Sequence, residues 1–376
     1  MTDWTRTPDP DLTGIDVDTS APVLVTGATG YVAGWVVKGL LDAGATVHAA
    51  VRHPEDAATV GHLTALAEAT HARGTGARLR LFASDLLQPG SYDEAMAGCA
   101  VVLHTASPFV RGAEDPQRDL VDPAVRGTRN VLTSVEATAS VRRVVLTSSI
   151  AATYTDAVEC AAAPGGRLTE EVWNTTASLT YEPYSHSKTL AERAAWEMAD
   201  GAAAAAADRG EEARWRLVTV NPGLVVGPAL GPGRSSDSFA ILRQVTDGSL
   251  RLGAPRVGLA LVDVRDVARA HIAAAYLPGA HGRHLVNAHT TDLVQIGQLL
   301  TPVVRGRADA DRFHLPGRAL PKALVKAVGP ALGLSRRYVE GNVDHPMLVS
   351  NAKSRRELGM SYRPLLESLT DMLDQL

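Results

Sequence analysis

The sequence predicts an α/β protein, a doubly wound parallel sheet with a smaller C-terminal lobe. Three observations predict it. Short β-branched runs alternate with amphipathic helical stretches from Val23 to Val220, the pattern of successive βαβ units. A glycine turn at Gly27–Gly30 joins the first of these runs to the first helix. After Asn221 the regularity fails, and Pro222, Gly223, Gly227, Pro228, Gly231, Pro232 and Gly233 punctuate a segment that cannot be one helix or one long strand.

The expected strands are Val23–Val25, Thr46–Val51, Leu79–Phe82, Val101–His104, Val144–Thr147, Leu217–Val220 and His284–Val286. The helices between them are expected at Tyr31–Ala43, Ala57–Thr70, Ser91–Ala97, Leu120–Thr138 and Tyr184–Ala206. Right-handed crossovers then put helices on both faces of the sheet. Helices at Ser238–Thr246, near Leu320–Val328 and at Leu365–Leu373 belong to the smaller lobe. The run Asp263–His271 reads as a strand end feeding a helix that returns to the main sheet. Expected boundaries are a flexible, disordered or loosely docked tail over 1–21, a dinucleotide-binding domain over 22–225 completed by about 263–300, and a substrate lobe from 226–262 and 301–376.

Bulk properties narrow the function. A chain of 376 residues, 45% hydrophobic and 21% charged, can bury a large core. A net charge of −4 offers no basic face for nucleic acid or an anionic membrane. Two cysteines, Cys99 and Cys160, make no disulfide framework and fit a reducing cytoplasm. No stretch is long and apolar enough to span a bilayer. The 12 histidines show no compelling metal-ligand spacing, so no metal is expected.

The first chemical motif is Val23–Gly34, an apolar strand, a turn and a helix start. Gly27 and Gly30 permit a sharp turn and a close approach of backbone to a diphosphate. The unpaired N–H groups that open the helix, over Thr29, Gly30, Tyr31 and Val32, face the phosphate oxygens. Ala33 takes the third small position, where helix packs on strand. This is the Rossmann-type arrangement. Arg52 follows the second strand, where an acid would select the unphosphorylated ribose; an arginine there favours a 2′-phosphate, or is simply solvated. Asp85 either accepts from the adenine amino group, with Leu86 walling the base, or caps the following turn. After the fourth strand, Thr105 and Ser107 sit in a small-residue segment, His104–Pro108, that allows close approach to a cofactor.

The second motif is Tyr184–Lys188. Spacing of four places both side chains on one helical face. A free tyrosine titrates near ~10. A nearby ammonium, joined by a pyridinium, stabilises the phenolate and lowers that value, which makes the phenol a usable acid/base. Ser148 and Ser149 end a core strand, where a hydroxyl can polarise a carbonyl; one is structural and the other functional, with Ser149 favoured. Phe109, Val110, Tyr154, Trp173, Leu224 and Phe239 are candidates for an apolar pocket, or ordinary packing.

These motifs together resemble the extended short-chain dehydrogenase/reductase family. The resemblance covers TGATGYVAGW, Asp85-Leu86, HTASP, VRGTRNVL, VVLTSS, PYSHSK, VNPGLVVGP and VDVRDVARAH. Within the family the chain is similar to the branch of dihydroflavonol reductases, cinnamoyl-CoA reductases and microbial aldehyde or methylglyoxal reductases. The resemblance implies Ser149, Tyr184 and Lys188 as catalytic residues. It implies NADP(H) as cofactor, held by Gly27, Thr29, Gly30, Tyr31, Val32, Arg52, Asp85, Leu86, Thr105, Ser107, Tyr184, Lys188, Pro222 and Val225. Cinnamoyl-CoA reductases usually carry an Asn-Trp-Tyr-type sequence at the catalytic tyrosine, whereas Glu182-Pro183-Tyr184 stands here, which argues against a CoA thioester substrate. The expected activity is NADPH-dependent reduction of small-molecule aldehydes or ketones by a cytoplasmic monomer or homodimer. Alternatives are an NAD-dependent sugar-nucleotide epimerase or dehydratase, and a non-catalytic dinucleotide sensor.

Overall fold

The computed structural model describes residues 10–74, 78–107, 113–231 and 237–376. Pro108, Phe109, Val110, Pro232 and Gly233 lie outside them. The first six strands are β1 (Val23–Thr26), β2 (Thr46–Val51), β3 (Arg78–Ala83), β4 (Val101–His104), β5 (Arg143–Thr147) and β6 (Arg216–Pro222). They are followed by β7 (Leu224–Val226), β8 (Leu259–Asp263), β9 (Gly282–Val286) and β10 (His289–Thr291). Seven form one sheet in the order β3-β2-β1-β4-β5-β6-β9, with every neighbouring pair parallel. All seven expected strands are present within two residues at each end.

Side chains alternate across a strand, so each strand feeds two cores. Val23 and Val25 of β1 pack in one cluster with the helices Tyr31–Asp42, Ala57–Ala72 and Val264–Tyr276. Leu24 points the other way, into a cluster with the helices Asp93–Met96, Asp122–Ala137 and Pro183–Asp208. The helix Val264–Tyr276 lies against Tyr31–Asp42, as the returning-helix expectation required. It explains why Ala268, Ala270 and Ala273–Ala275 are buried: small residues let two helices approach closely.

The N-terminal segment departs from expectation. From Pro10 onward it is docked. Leu12, Ile15 and Val17 pack on the first cluster, Pro10 is buried beside Gly39, and Arg269 donates to the Thr13 carbonyl at 3.2 Å. Leu12, Ile15 and Val17 supply the apolar contacts that dock this stretch, a signal the surrounding prolines and acids hid.

Parallel β7–β8 and antiparallel β8–β10 make a second, three-stranded sheet, order β10-β8-β7. It supports a third core with the helices Asp237–Thr246, Leu293–Arg305 and Leu365–Leu373. The small layer therefore draws Leu224–Val226 and the 289–305 stretch, as well as later segments. Among the described residues no helix is long and apolar enough to cross a membrane.

Candidate active site

Parallel register brings the C-terminal ends of the strands to one edge. Thr26 pairs with Ala50 and with His104, Val51 with Ala83, and Thr147 with Val220. The residues just beyond those ends are Gly27, Arg52, Asp85, Thr105, Ser148 and Gly223, so the expected site residues share one rim of the sheet.

At the glycine turn the need for glycine is steric. Gly27 has φ +61°, and a Cβ there would sit 2.9 Å from Ala106 Cα. A Cβ on Gly30 would meet the Gly27 carbonyl at 3.1 Å. The helix Tyr31–Asp42 starts from Gly30 with no side-chain cap, which leaves its first N–H groups to an outside acceptor. This cradle fits a diphosphate. Tyr31 itself donates to the Gly227 carbonyl, and Trp35 donates to the Pro228 carbonyl at 2.8 Å. The helix that opens at the turn is thus anchored to the passage between the two sheets.

Arg52 is exposed at the end of β2. Asp85 takes up the turn-capping alternative, accepting from the Leu87 N–H at 2.7 Å, while its backbone N–H and carbonyl both engage Ser91. Leu86 is buried against Gly127, where a Cβ would clash at 2.3 Å; the wall expected for a base is mostly spent on the 122–137 helix. Thr105 donates to the Thr26 carbonyl, and Thr26 Oγ1 accepts from the Ala106 N–H at 3.1 Å. The Thr105 hydroxyl therefore ties β4 to β1.

A cleft of about 950 Å³ runs along the rim. Its walls include Tyr31 and Val32 at one end, Ser149, Tyr184 and Lys188, and Pro222–Val225 beside the small sheet. Tyr154 and Leu224 line it as apolar candidates. Trp173 and Phe239 do not. Trp173 stacks under Arg283, 3.9 Å from guanidinium carbon to ring centroid. Phe239 is buried edge-on to Tyr31.

The helix Pro183–Asp208 carries Tyr184 and Lys188 on one face, with Lys188 Nζ 5.8 Å from the phenol ring centroid. Ser149 hydrogen-bonds the Tyr184 phenol. It also accepts from the Ala151 N–H at 3.1 Å, capping a short helical turn. Lys188 donates to Ser107 Oγ at 2.9 Å, which links the lysine to the segment after β4.

The electrostatics of the chain by itself are set by burial. Burial pushes the Tyr184 phenol up to about 12; the Ser149 hydrogen bond works against burial, and Asp237 works with it. Burial also brings Lys188 down to about 8, against the pull of Glu192. The ring keeps 36% exposure toward the cleft, so water there offsets part of the burial effect. Lowering of the phenol was expected from two charges, an ammonium and a pyridinium. In the chain without the dinucleotide, desolvation dominates.

One residue that sequence reasoning missed ties the site together. Glu192, one turn beyond Lys188, is 1% exposed. It accepts from Ser148 Oγ (2.7 Å), Thr219 Oγ1 (3.0 Å), Asn221 Nδ2 (2.8 Å) and Arg283 Nε (2.7 Å). Asn221 also donates to the Ser149 carbonyl at 3.2 Å. Glu192 thereby fixes the ends of β5 and β6 against the helix that carries Tyr184. It also separates the two serines: Ser148 faces inward to Glu192 and Ser149 faces the phenol. The signal was present, since an acid among Ala191, Ala194 and Ala195 at the helical spacing of Tyr184 and Lys188 must be buried with them.

Comparison with known proteins agrees with this geometry. Residues 23–287 match the model of the NAD dependent epimerase/dehydratase family. The chain is 38% identical over 315 residues to cinnamoyl-CoA reductase CAD2 of Medicago truncatula, covering 82% of this chain and 90% of that protein. It is 35% identical to tetraketide alpha-pyrone reductase 1 of Arabidopsis thaliana, covering 78% and 86%. Among solved structures it is similar to yeast methylglyoxal/isovaleraldehyde reductase Gre2 complexed with NADPH, with a TM-score of 0.69, 27% identity and coverage of 94% and 97%. The glycine cradle, the rim of strand ends and the matched span from β1 past β9 place the chain in the NAD dependent epimerase/dehydratase family, the extended short-chain dehydrogenase/reductases.

Proposed function

We propose that the protein is an NADPH-dependent reductase of aldehydes or ketones, reversible as an alcohol dehydrogenase, with Ser149, Tyr184 and Lys188 as its catalytic residues. The observation that carries this reading is a single cleft reaching from the first turn of the Tyr31–Asp42 helix to the Ser149–Tyr184 pair. The curated relatives that match most of the chain are named as reductases, and a similar structure is complexed with NADPH. Both favour a reductase over an epimerase.

The turn Gly27–Gly30 and the N–H groups of Tyr31 and Val32 would hold the pyrophosphate. Arg52 would pair with a 2′-phosphate, and Pro222 and Val225 would pack beside the nicotinamide. When bound, the dinucleotide supplies the hydride and, once oxidised, a positive charge. Ser149 Oγ donates a hydrogen bond to the substrate carbonyl and polarises it. Tyr184 gives its phenolic proton to the carbonyl oxygen as that oxygen becomes an alkoxide. Lys188, at about 8 in the unliganded protein, is driven to its charged form by an anionic dinucleotide and then stabilises the phenolate left behind. Asp85, Leu86 and Thr105 keep a backbone or wall role here, because their side chains are already engaged.

A screen of aldehydes, α-keto esters and aryl ketones, followed by NADPH absorbance, tests the reading. Tyr184→Phe is expected to keep NADPH binding and to lose turnover by on the order of 10²-fold or more. Near-normal turnover in that variant overturns the role of Tyr184. Tightly co-purifying NAD without NADPH oxidation would instead indicate the epimerase alternative.

A further inference from the structure

Two residues before the phenol, the chain does something unusual. Glu182, the N-cap of the Pro183–Asp208 helix, has φ +53° and ψ +54°. Left-handed backbone is uncommon for a side chain of this kind, and the residue before a proline is restricted further. An N-cap acid ordinarily turns back onto the free N–H groups of its helix; Glu182 makes no such cap. Its side chain lines the cleft, and it finds no hydrogen-bond or ion-pair partner among the described residues.

The surroundings make that carboxylate costly. Burial, and then the charge of Asp156, push its acidity down, so its pKa stands above the ordinary range. Asp156 cannot share donors with it. Asp156 Oδ1 already accepts from Tyr181 Oη and from Asn342 Nδ2, both at 2.6 Å. Tyr154 stands on the same cleft wall, close enough to feel both Glu182 and Tyr184, and its hydroxyl has no partner among the described residues. A half-buried carboxylate and a hydroxyl left without partners, beside a proton-donating phenol, are groups that a ligand completes. Among the described residues that line the cleft, Lys188 is the one cation, and it is tied to Ser107.

We propose that Glu182 and Tyr154 form a polar subsite that reads a hydrogen-bond donor on the substrate, a hydroxyl or an ammonium, and turns away substrates bearing a carboxylate or phosphate at that position. The inference rests on the reductase reading and narrows its substrate class to hydroxylated or amine-bearing carbonyl compounds. The carboxylate accepts from the donor, and the Tyr154 hydroxyl donates to or accepts from the same group.

The experiment compares kcat/KM with NADPH for benzaldehydes bearing a para-hydroxymethyl, para-dimethylammoniomethyl or para-carboxylate group. Wild type, Glu182→Gln and Tyr154→Phe are measured in parallel. Taking the ratio of variant to wild type for each substrate cancels intrinsic aldehyde reactivity. A charge a few ångströms from the substrate group is worth about tenfold or more in a partly wet cleft. In Glu182→Gln the carboxylate substrate is expected to gain at least about tenfold relative to whichever donor substrate wild type prefers. A larger loss for the hydroxymethyl arm identifies a hydroxyl reader, and a larger loss for the ammonium arm an amine reader. Tyr154→Phe, which keeps the ring and the fold, is expected to reduce donor preference in the same direction. Ratios unchanged within about twofold in both variants overturn the subsite while leaving the reductase reading intact. If folded wild type reduces none of these or the wider screen of carbonyls, the reductase reading fails and the subsite falls with it.

Discussion

Glu192→Gln replaces a charged hub by its neutral isostere, and the structure fixes how large the effect is. The Glu192 side chain is 0% exposed and that of Arg283 is 6% exposed, so solvent screens neither. Removing the negative charge leaves the guanidinium buried beside Trp173 with no counter-ion. Breaking a buried pair in this way costs about 3–5 kcal/mol. Glutamine offers one acceptor oxygen where two oxygens now accept six hydrogen bonds from five residues, and its amide N–H groups face Arg283 and Asn221, which are themselves donors. The total stability of a folded domain is about 5–15 kcal/mol, so one amide consumes about a fifth of it or more. Urea unfolding followed by tryptophan fluorescence measures the change. With a slope of roughly 3 kcal/mol/M, the midpoint is expected to fall by about 1 M or more. The control is Glu197→Gln one turn further on, whose pair with Arg129 is open to solvent, with 69% and 50% exposure; it is expected to shift stability by less than ~1 kcal/mol. Equal shifts in the two variants would refute the argument from burial. The same substitution removes the charge that holds Lys188 up, so the loss of NADPH affinity at alkaline pH should begin at lower pH than in wild type.

Three further outcomes are expected. Gly27→Ala forces a side chain into left-handed backbone against Ala106; a stability loss of about 1–3 kcal/mol in thermal melts and weaker NADPH binding by fluorescence titration should follow, and unchanged binding would contradict the cradle. Arg52→Glu should weaken NADPH far more than NADH, whereas equal losses would show that Arg52 does not read the 2′-phosphate. Asp266 is held up to about 7, first by burial and then by Asp263, against the Arg363 N–H bond. Between the unfolded carboxylate range near ~4 and about 7, the folded state binds the extra proton, so stability should decline as pH rises through that window. Asp266→Asn should flatten the decline in urea midpoints, and a profile of unchanged slope would refute the assignment.

Much of the molecule was legible in order. The inner parallel strands announced themselves because each is a short apolar run bounded by turns, and burial on both faces demands that composition. The edge strand β3, with Arg78 and Arg80 exposed, was legible from the alternation of Leu79 and Leu81 with its arginines. The glycine cradle was legible because backbone at φ +61° beside Ala106 admits almost nothing else. Tyr184 and Lys188 were legible because helical spacing alone sets them on one face. The second sheet was not legible. Leu224–Val226 and His289–Thr291 are three residues each, too short to carry a period, and they pair only because β8 lies between them. The docking of Leu12, Ile15 and Val17 likewise depended on a groove made by distant helices.

What the sequence by itself determined is the chemistry at hand: a turn that can cradle phosphate, a phenol and an amine in step, and two serines at a strand end. What only the tertiary structure decided is how each of those groups is used. Folding turned Ser148 toward Glu192 and Ser149 toward Tyr184, spent Asp85 on its own turn, and left Glu182 facing the cleft. The physical reason is that a side chain's role follows from its partners and its distance from water. Both are set by contacts between residues far apart in the chain, such as Glu192 with Arg283, which no local pattern encodes.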